Sequence, residues 1–310
     1  MITPEMLEKL ELLEKKFSAS GQQLGSYLDG LLHSEYLTYW DYIHLDTLLT
    51  LQNPRTKFPD EKIFIMYHQI TELYFKLALH EMEQIIDAHQ PEKSWLIDRI
   101  KRINAYFKAL ISSFEVMVDG MEKNQFLQFR MALLPASGFQ SVQYRMIEIY
   151  STDLRNLVEK DSREQLTGQE RIEDLYQRIY WKKGATELAT GKKTLTLLQF
   201  EEKYEQTLIA LSKQLSGRNL WTVCQPHLDL SDAADELQIE LRLLDLSVNV
   251  NWPLMHYKSA VRYLQQSPAD IAATGGTNWQ KYLPPRFQLR VFYPTLWDQN
   301  EINHWGKSRE

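Results

Sequence analysis

Residues 60–81 read DEKIFIMYHQITELYFKLALHE. Phe64, His68, Thr71 and Phe75 recur at steps of three and four residues, the spacing that sets side chains on one side of a helix. The stretch predicts a helix from residue 60 to about 88, with an apolar face interrupted by one imidazole. A buried imidazole needs partners for its ring nitrogens. A structural hydrogen bond is the ordinary reason for such a residue. A chemical role requires other residues of the chain to meet it.

Upstream, Thr3 and Pro4 make a helix start, a hydroxyl cap followed by proline at the first helical position. A leucine-rich stripe through Leu7 and Leu10 carries that helix to about Phe17, and Gly21 separates it from a second short helix over residues 22–33. Neither can bury both its faces alone, so docking onto the body or onto a partner subunit is expected. Residues 36–52, YLTYWDYIHLDTLLTLQ, predict an aromatic-rich helix that places Tyr39 and Tyr42 on one face with Leu45 and Leu49. Asn53 and Pro54 close it.

Downstream, Ser94 is placed to cap a long helix over residues 95–121. Pro135 and Gly138 split the following segment into a helix ending near 134 and another beginning near 139. Arg130 lies among Phe126, Phe129, Met131 and Leu133. An arginine in such company either snorkels to water or meets a buried anion. Residues 151–230 are more polar, with helices expected near 169–181 and 198–215, and read as an excursion or lid on the main body. Ser231 is placed to cap a helix over 232–265 that Trp252 and Pro253 interrupt, because proline removes a hydrogen bond and bends the helix. His256 follows the bend. Thr274, Gly275, Gly276 and Thr277 form a loop, and Pro294 starts one more short helix.

Nothing alternates with period two strongly enough to demand a sheet, and no internal repeat is present. Only 12 Gly and 11 Pro in 310 residues agree with a mostly helical chain. The 44% hydrophobic content supports a substantial core. Charge is mixed, with a net value of −6, which gives no nucleic-acid surface. No run of about 18 apolar residues is present, so no membrane span is expected. The N-terminus is charged from its fifth residue, unlike a secretory signal. A single cysteine, Cys224, rules out an internal disulfide framework and fits a reducing compartment. A cytoplasmic location is expected.

The familiar catalytic signatures are missing: no GxGxxG, no GxxxxGK, no CxxC and no GxSxG, while His80-Glu81 lacks the second histidine of a zinc-protease helix. What remains is His68 and His256 on apolar helices, Arg130, and the TGGT loop. A helix-borne histidine facing a flat apolar pocket is a normal ligand for haem iron, and a second histidine across the pocket can act as a distal hydrogen-bond partner. An arginine with a Gly-rich loop can hold an amino-acid carboxylate or a haem propionate.

The segments YWDYIHLDTLLTLQ, DEKIFIMYHQITELYFKLALHE and FRMALLPASGFQSVQYRMIE, with His256 followed by TGGT, resemble the tryptophan 2,3-dioxygenase family in order and spacing. HQ-x-x-EL-x-x-K with ASGFQS-x-Q-x-R is the most specific part. The resemblance implies an all-α helical bundle enclosing a haem pocket, built as one domain over residues 1–310. It also implies a homotetramer, a dimer of dimers, with N-terminal helices (residues 1–35) exchanged between subunits. It makes His256 the axial ligand of the iron of haem b, four residues after Trp252, with Ser137 near the haem edge. It places His68 in the distal pocket as the catalytic histidine close to the indole N–H, and Phe64 against the indole ring. Tyr39 and Tyr42 would line the pocket from a neighbouring subunit. Arg130 would pair with the substrate carboxylate beside Phe126 and Leu133, and Thr274 would contact the amino-acid end. The implied reaction is insertion of both atoms of O2 across the pyrrole C2–C3 bond of L-tryptophan, giving N-formylkynurenine, the first step of the kynurenine route.

The chain departs from the family pattern at Ala272-Ala273 before TGGT, at Asn278-Trp279 after it, and at Tyr74, where the family has tryptophan. The first two lie in the loop over the substrate's amino-acid end. Two other readings remain beside the leading one. One is a related haem enzyme that oxygenates another indole or aromatic amino acid. The other is a helical interaction protein that kept the scaffold and lost the haem.

Overall fold

A computed structural model of the chain describes residues 2–133, 137–186, 190–265, 280 and 283–307. Among the described residues there is no strand, and the only β-type pairings are the isolated bridges Val158–Ile179 and Thr186–Lys193. The fold is all-α. Among the described residues, eight helices of ten residues or more account for its framework. They are α1 (Pro4–Ala19), α2 (Leu24–His33), α3 (Asp60–Asp87), α4 (Lys93–Ser113), α5 (Val142–Ser151), α6 (Leu195–Gln214), α7 (Glu236–Leu246) and α8 (Trp252–Leu264). The chain divides into two compact units, Met1–Gln52 and Asn53–Glu310.

In the first unit the Thr3 hydroxyl accepts from the Met6 amide, as the sequence predicts, and Gly21 turns the chain at φ 72°. Phe17 stacks on Tyr27 with ring centroids 4.0 Å apart. Leu24 is the only buried residue described in this unit. Residues 36–52 do not form the expected continuous helix. Two single-turn helices, Tyr39–Tyr42 and Leu45–Leu48, are separated by His44 in the left-handed region at φ 52°. Aromatic residues are mediocre helix formers, and most helical stability comes from packing an apolar face. Here that packing is missing, since Tyr39 and Tyr42 are 70% and 72% exposed.

In the second unit α3 is the central helix. It buries eleven residues, with Phe75, Ala78, Met82 and Ile85 fully enclosed. Large apolar side chains such as Phe75, Met82 and Ile85 contribute about 1.5–3 kcal/mol each. It packs against α4 and α5, while α7 lies on α4 and α6 on α5. Polar ties fix the register. Glu81 of α3 is buried and receives Arg99 at 2.9 Å, Arg102 at 3.1 Å and Tyr106 at 3.3 Å, all from α4. Asp60 accepts the Glu122 amide at 2.6 Å.

Several boundaries differ from those the sequence suggests. α4 starts at Lys93 without a side-chain cap, so Ser94 lies inside the first turn; it ends at Ser113, and a separate turn, Glu115–Val118, follows Phe114. The cap of α7 is Asp235, which accepts from Leu237 and Gln238, and Ser231 instead bonds Asp229. Around Pro253 the chain does not simply bend. Ser247–Asn251 forms a π-helical turn between α7 and α8. Proline has no amide to close an α-helical ring, and a wider turn absorbs the mismatch. The buried Tyr144 hydroxyl donates to the Val248 carbonyl of that turn at 2.9 Å. Residues 151–230 contribute to the core of this unit, with Leu157, Val158, Tyr176, Leu197 and Leu208 all buried.

Candidate active site

His68 sits on α3, four residues after Phe64. Its Nδ1 lies 2.7 Å from the Phe64 carbonyl, and the two rings are 4.1 Å apart. A carbonyl only accepts, so Nδ1 carries the proton and Nε2 keeps its lone pair. Burial lowers the pKa of the imidazole, against the opposing pull of that carbonyl and of the Glu72 charge. Phe64 also meets Phe129 at 5.8 Å and Phe126 at 6.3 Å, and Phe126 in turn meets Tyr263 of α8 at 4.5 Å. Phe64, His68 and Phe126 therefore share one aromatic neighbourhood.

His256 repeats the arrangement on α8. Its Nδ1 lies 3.1 Å from the Trp252 carbonyl, four residues earlier. Trp252 and Phe114 each approach the imidazole with centroids 4.6 Å away. Burial pushes its pKa down to about 4, against the carbonyl bond, and a charge on His68 pushes it in the same direction. At neutral pH His256 is uncharged, its Nδ1 proton is committed, and Nε2 is available as a ligand atom.

A cavity of about 290 Å³ opens beside His256, and Trp252, Ser137 and Phe75 share its wall. Ser137 forms a capping box with Gln140, which fixes the loop ahead of α5. Of the predicted residues, Ser137, Trp252 and His256 meet on this wall; Phe64, His68, Phe126, Arg130 and Leu133 are not among its lining residues. Arg130 is buried at 6% exposure, not snorkelling to water, and burial lowers its pKa. Leu133 packs against the core. Tyr39 and Tyr42 belong to the first unit and are exposed. Thr274 lies outside the described residues.

The cavity wall also holds residues that the sequence did not single out. Arg145 of α5, Tyr180 and Arg290 line it, together with Trp181. Both guanidiniums reach the fully buried Glu148, at 3.1 Å from Arg145 and 2.5 Å from Arg290. The Tyr180 hydroxyl also donates to Glu148. Burial raises the pKa of Tyr180 well above its ordinary value and keeps it neutral. The only signal in the sequence was an arginine inside an apolar run, Leu289–Arg290–Val291–Phe292, and Arg145 closing the ASGFQS-x-Q-x-R motif.

Asp245 anchors the strip that carries Arg290. Its buried carboxylate accepts from the Phe292 and Tyr293 amides at 3.0 and 3.2 Å, from Trp297 Nε1 at 2.9 Å and from Asn249 at 2.7 Å. One carboxylate thus ties the strip carrying Arg290 to the π-turn that leads into His256. Burial raises its pKa to about 6 despite those donors.

Among the described residues no three His, Cys, Asp or Glu side chains cluster as a set for a bare metal ion. A single neutral histidine beside aromatic walls fits instead a metal whose other ligands come from a flat macrocycle. Two guanidiniums on the same wall, Arg145 and Arg290, suit a macrocycle that bears acid groups.

Comparison with known proteins places the chain among the dioxygenases, which are oxidoreductases. It belongs to the tryptophan 2,3-dioxygenase family, whose profile matches residues 29–219. A tryptophan 2,3-dioxygenase of Herpetosiphon aurantiacus is 31% identical over 269 residues, covering 85% of this chain and 97% of that protein. The Bacillus thuringiensis subsp. konkukian enzyme of the same name is 27% identical over 285 residues, covering 85% and 92%. One from Anaeromyxobacter sp. (strain K) reaches 40% identity over 121 residues, 39% of this chain and 45% of its own.

Proposed function

We propose that this chain is a haem-dependent dioxygenase that opens the indole of L-tryptophan with O2 to give N-formylkynurenine, the entry to the kynurenine route. The observation that carries the reading is His256, uncharged, with Nδ1 on the Trp252 carbonyl and Nε2 left for iron, beside a cavity in a chain of this family. Haem b, when bound, supplies the iron at which O2 is activated. The reaction breaks the pyrrole C2–C3 bond and the O–O bond and forms two carbonyls, so both oxygen atoms remain in the product and no other reductant is consumed.

The chain's own residues bind and orient. His68, with its proton on Nδ1, offers Nε2 as acceptor to the indole N–H. Phe64 and Phe126 supply apolar surface for the ring and exclude water from it. Arg130 pairs with the substrate carboxylate, a charge-assisted interaction strengthened by its burial. Leu133 and Ser137 complete the wall near the haem edge, Thr274 contacts the amino-acid end of the substrate, and Tyr39 and Tyr42 line the pocket from a neighbouring subunit. Trp252 and Phe114 fix the His256 ring by packing on it.

We place the protein in the cytoplasm as a homotetramer with one catalytic domain, in which residues 1–35 serve oligomerisation and residues 151–230 form a helical excursion. Support for the assembly comes from the first unit. Leu31 and Leu32 are 69% and 79% exposed there, more apolar surface than helices of this length usually leave to water. Light scattering of the full chain is expected to give a tetramer mass; a monomer overturns the assembly.

Protein expressed with a haem precursor is expected to show a Soret band that His256→Ala loses. Reduced protein with O2 and L-tryptophan is expected to give a product heavier by two oxygen atoms. A colourless protein or an unchanged spectrum in the variant overturns the haem assignment. Addition of one oxygen atom, or preference for an indole without a carboxylate, overturns the substrate assignment.

A further inference from the structure

Glu72 and Gln143 belong to the two most specific stretches of the sequence, HQ-x-x-EL-x-x-K and ASGFQS-x-Q-x-R, and neither is among the lining residues of the cavity beside His256. In the fold they meet. The side-chain amide of Gln143 on α5 donates to the Glu72 backbone carbonyl at 2.9 Å and to its carboxylate at 2.8 Å. A primary amide has two N–H groups, and both are used here. The half-buried Glu72 carboxylate is thereby fixed where α3 packs on α5.

Glu72 follows His68 by four residues, as His68 follows Phe64. The three side chains therefore succeed one another along one face of α3. Helical side chains lean toward the N-terminus, over the preceding turn. His68 does so, with its Nδ1 on the Phe64 carbonyl, and Glu72 stands at the next turn.

Few other charges act on this imidazole. Burial disfavours its protonated form, while the Phe64 carbonyl and the Glu72 charge favour it. From α8, His256 faces it uncharged. Phe126 and Phe129, which meet the neighbouring Phe64, carry no charge, and the charge of Arg130 just after them is disfavoured by burial. The cations of the other packed helices are engaged elsewhere: Arg145 of α5 with Glu148, and Arg99 and Arg102 of α4 with Glu81, far along α3. Glu115, in the turn after α4, pairs with Lys258 of α8. An imidazole taken out of water is a poor acceptor, because accepting a hydrogen bond draws positive charge onto the ring. A fixed carboxylate one turn away offsets that cost without occupying Nε2.

We propose that Glu72 is a positioning residue for the reaction: its carboxylate, held by Gln143, sets how strongly Nε2 of His68 accepts the indole N–H. The inference rests on the dioxygenase reading for the identity of the donor, and on α3 and α5 alone for the pairing of Glu72 with His68.

The full-length protein as purified is incubated in deuterated buffer across a range of pH. Exchange at the imidazole C2 position of His68, followed by peptide mass spectrometry, gives its pKa whatever ligand is bound. Glu72→Gln keeps an oxygen for Gln143 and removes the charge. It is expected to lower the His68 pKa by about 0.5 to 1 unit. The acid limb of kcat/KM for L-tryptophan is expected to move to lower pH by the same amount, because His68 accepts only when neutral. Glu72→Asp keeps the charge and is expected to hold His68 within about 0.3 unit of the parent. Glu72→Ala is a second neutral variant, with the same shift expected, should the glutamine variant not fold. A His68 pKa that neither neutral variant moves overturns the proposal, whatever happens to the rate, and leaves Glu72 a tie between α3 and α5. A pKa that moves while the acid limb stays also overturns it, since the charge then has no hold on the reaction. If the parent makes no oxygenated product from L-tryptophan, the dioxygenase reading fails by itself, and the exchange measurement alone decides whether Glu72 governs His68.

Discussion

His68 and His256 have nearly the same local surroundings and different prospects. Each sits mid-helix, gives its Nδ1 proton to the carbonyl four residues back, and is kept uncharged by burial. What differs is the space beyond Nε2. His256 lines a cavity whose wall also carries Arg145 and Arg290, whereas His68 faces Phe64 and its aromatic neighbours. Tautomer and charge prepare an imidazole to accept a bond. The geometry around it decides whether the bond goes to a metal or to a substrate N–H.

The sharpest way to break the comparison is to remove the carboxylate that pairs Arg145 and Arg290 on the His256 side. Glu148→Ala leaves two buried guanidiniums without their carboxylate, and such a loss is expected to destabilise the fold by about 3–5 kcal/mol. A urea titration checks it. A loss below about 1 kcal/mol would show that the cations find other partners, and that Glu148 is not what holds them on this wall. Phe114→Ala comes next, at about 3 kcal/mol, because this buried ring packs on Tyr67, Trp252 and His256 together. In haem-loaded protein the same variant is expected to broaden the Soret band, since the His256 ring loses one of its two flanking walls.

Asp245 tests the link between the two ends of the His256 wall. Its pKa is raised by burial to about 6, above the ordinary value near 3.9. A raised carboxyl contributes most below the unfolded value, and that contribution is lost as pH rises through the folded one. Relative to Asp245→Asn, which does not titrate, the parent is expected to lose on the order of 2–3 kcal/mol of stability between pH 4 and pH 6.5. Comparing the two by urea at both pH values isolates this group from the other titrations. A difference that does not change with pH would mean that the four donors around Asp245 outweigh its burial.

Much of this wall was not legible in the sequence, for identifiable reasons. The helix carrying His68 was readable because its period is long and regular, and its observed span agrees to within a residue or two. His256 and Trp252 were readable because i and i+4 on a helix fix their relation. Residues 36–52 misled because an apolar aromatic pattern indicates a helix only when something packs on it. Asp235 displaced Ser231 as the cap of α7, since both are good caps and only the folded chain chooses between them. The π-turn before Trp252 left only the proline as a trace. Arg290 lies 145 residues from Arg145, so their meeting is a fact of tertiary structure that no local spacing records.

The smallest expected effect is on the other side of the comparison. His68 is only partly buried and makes one hydrogen bond to its own helix, so His68→Gln is expected to lower stability by less than about 1.5 kcal/mol. Glutamine keeps a polar tip but not an acceptor held in the imidazole's position. With tryptophan as substrate, kcat is expected to fall about tenfold or more while the Soret band is retained. His256→Ala is expected to behave in the opposite way, losing the band first. If His68→Gln also loses its Soret band, the two histidines are equivalent and the division of labour between α3 and α8 is wrong. If 1-methyltryptophan, which has no indole N–H, is turned over equally well by parent and variant while tryptophan is not, the acceptor role of Nε2 is isolated from every other contact of the ring.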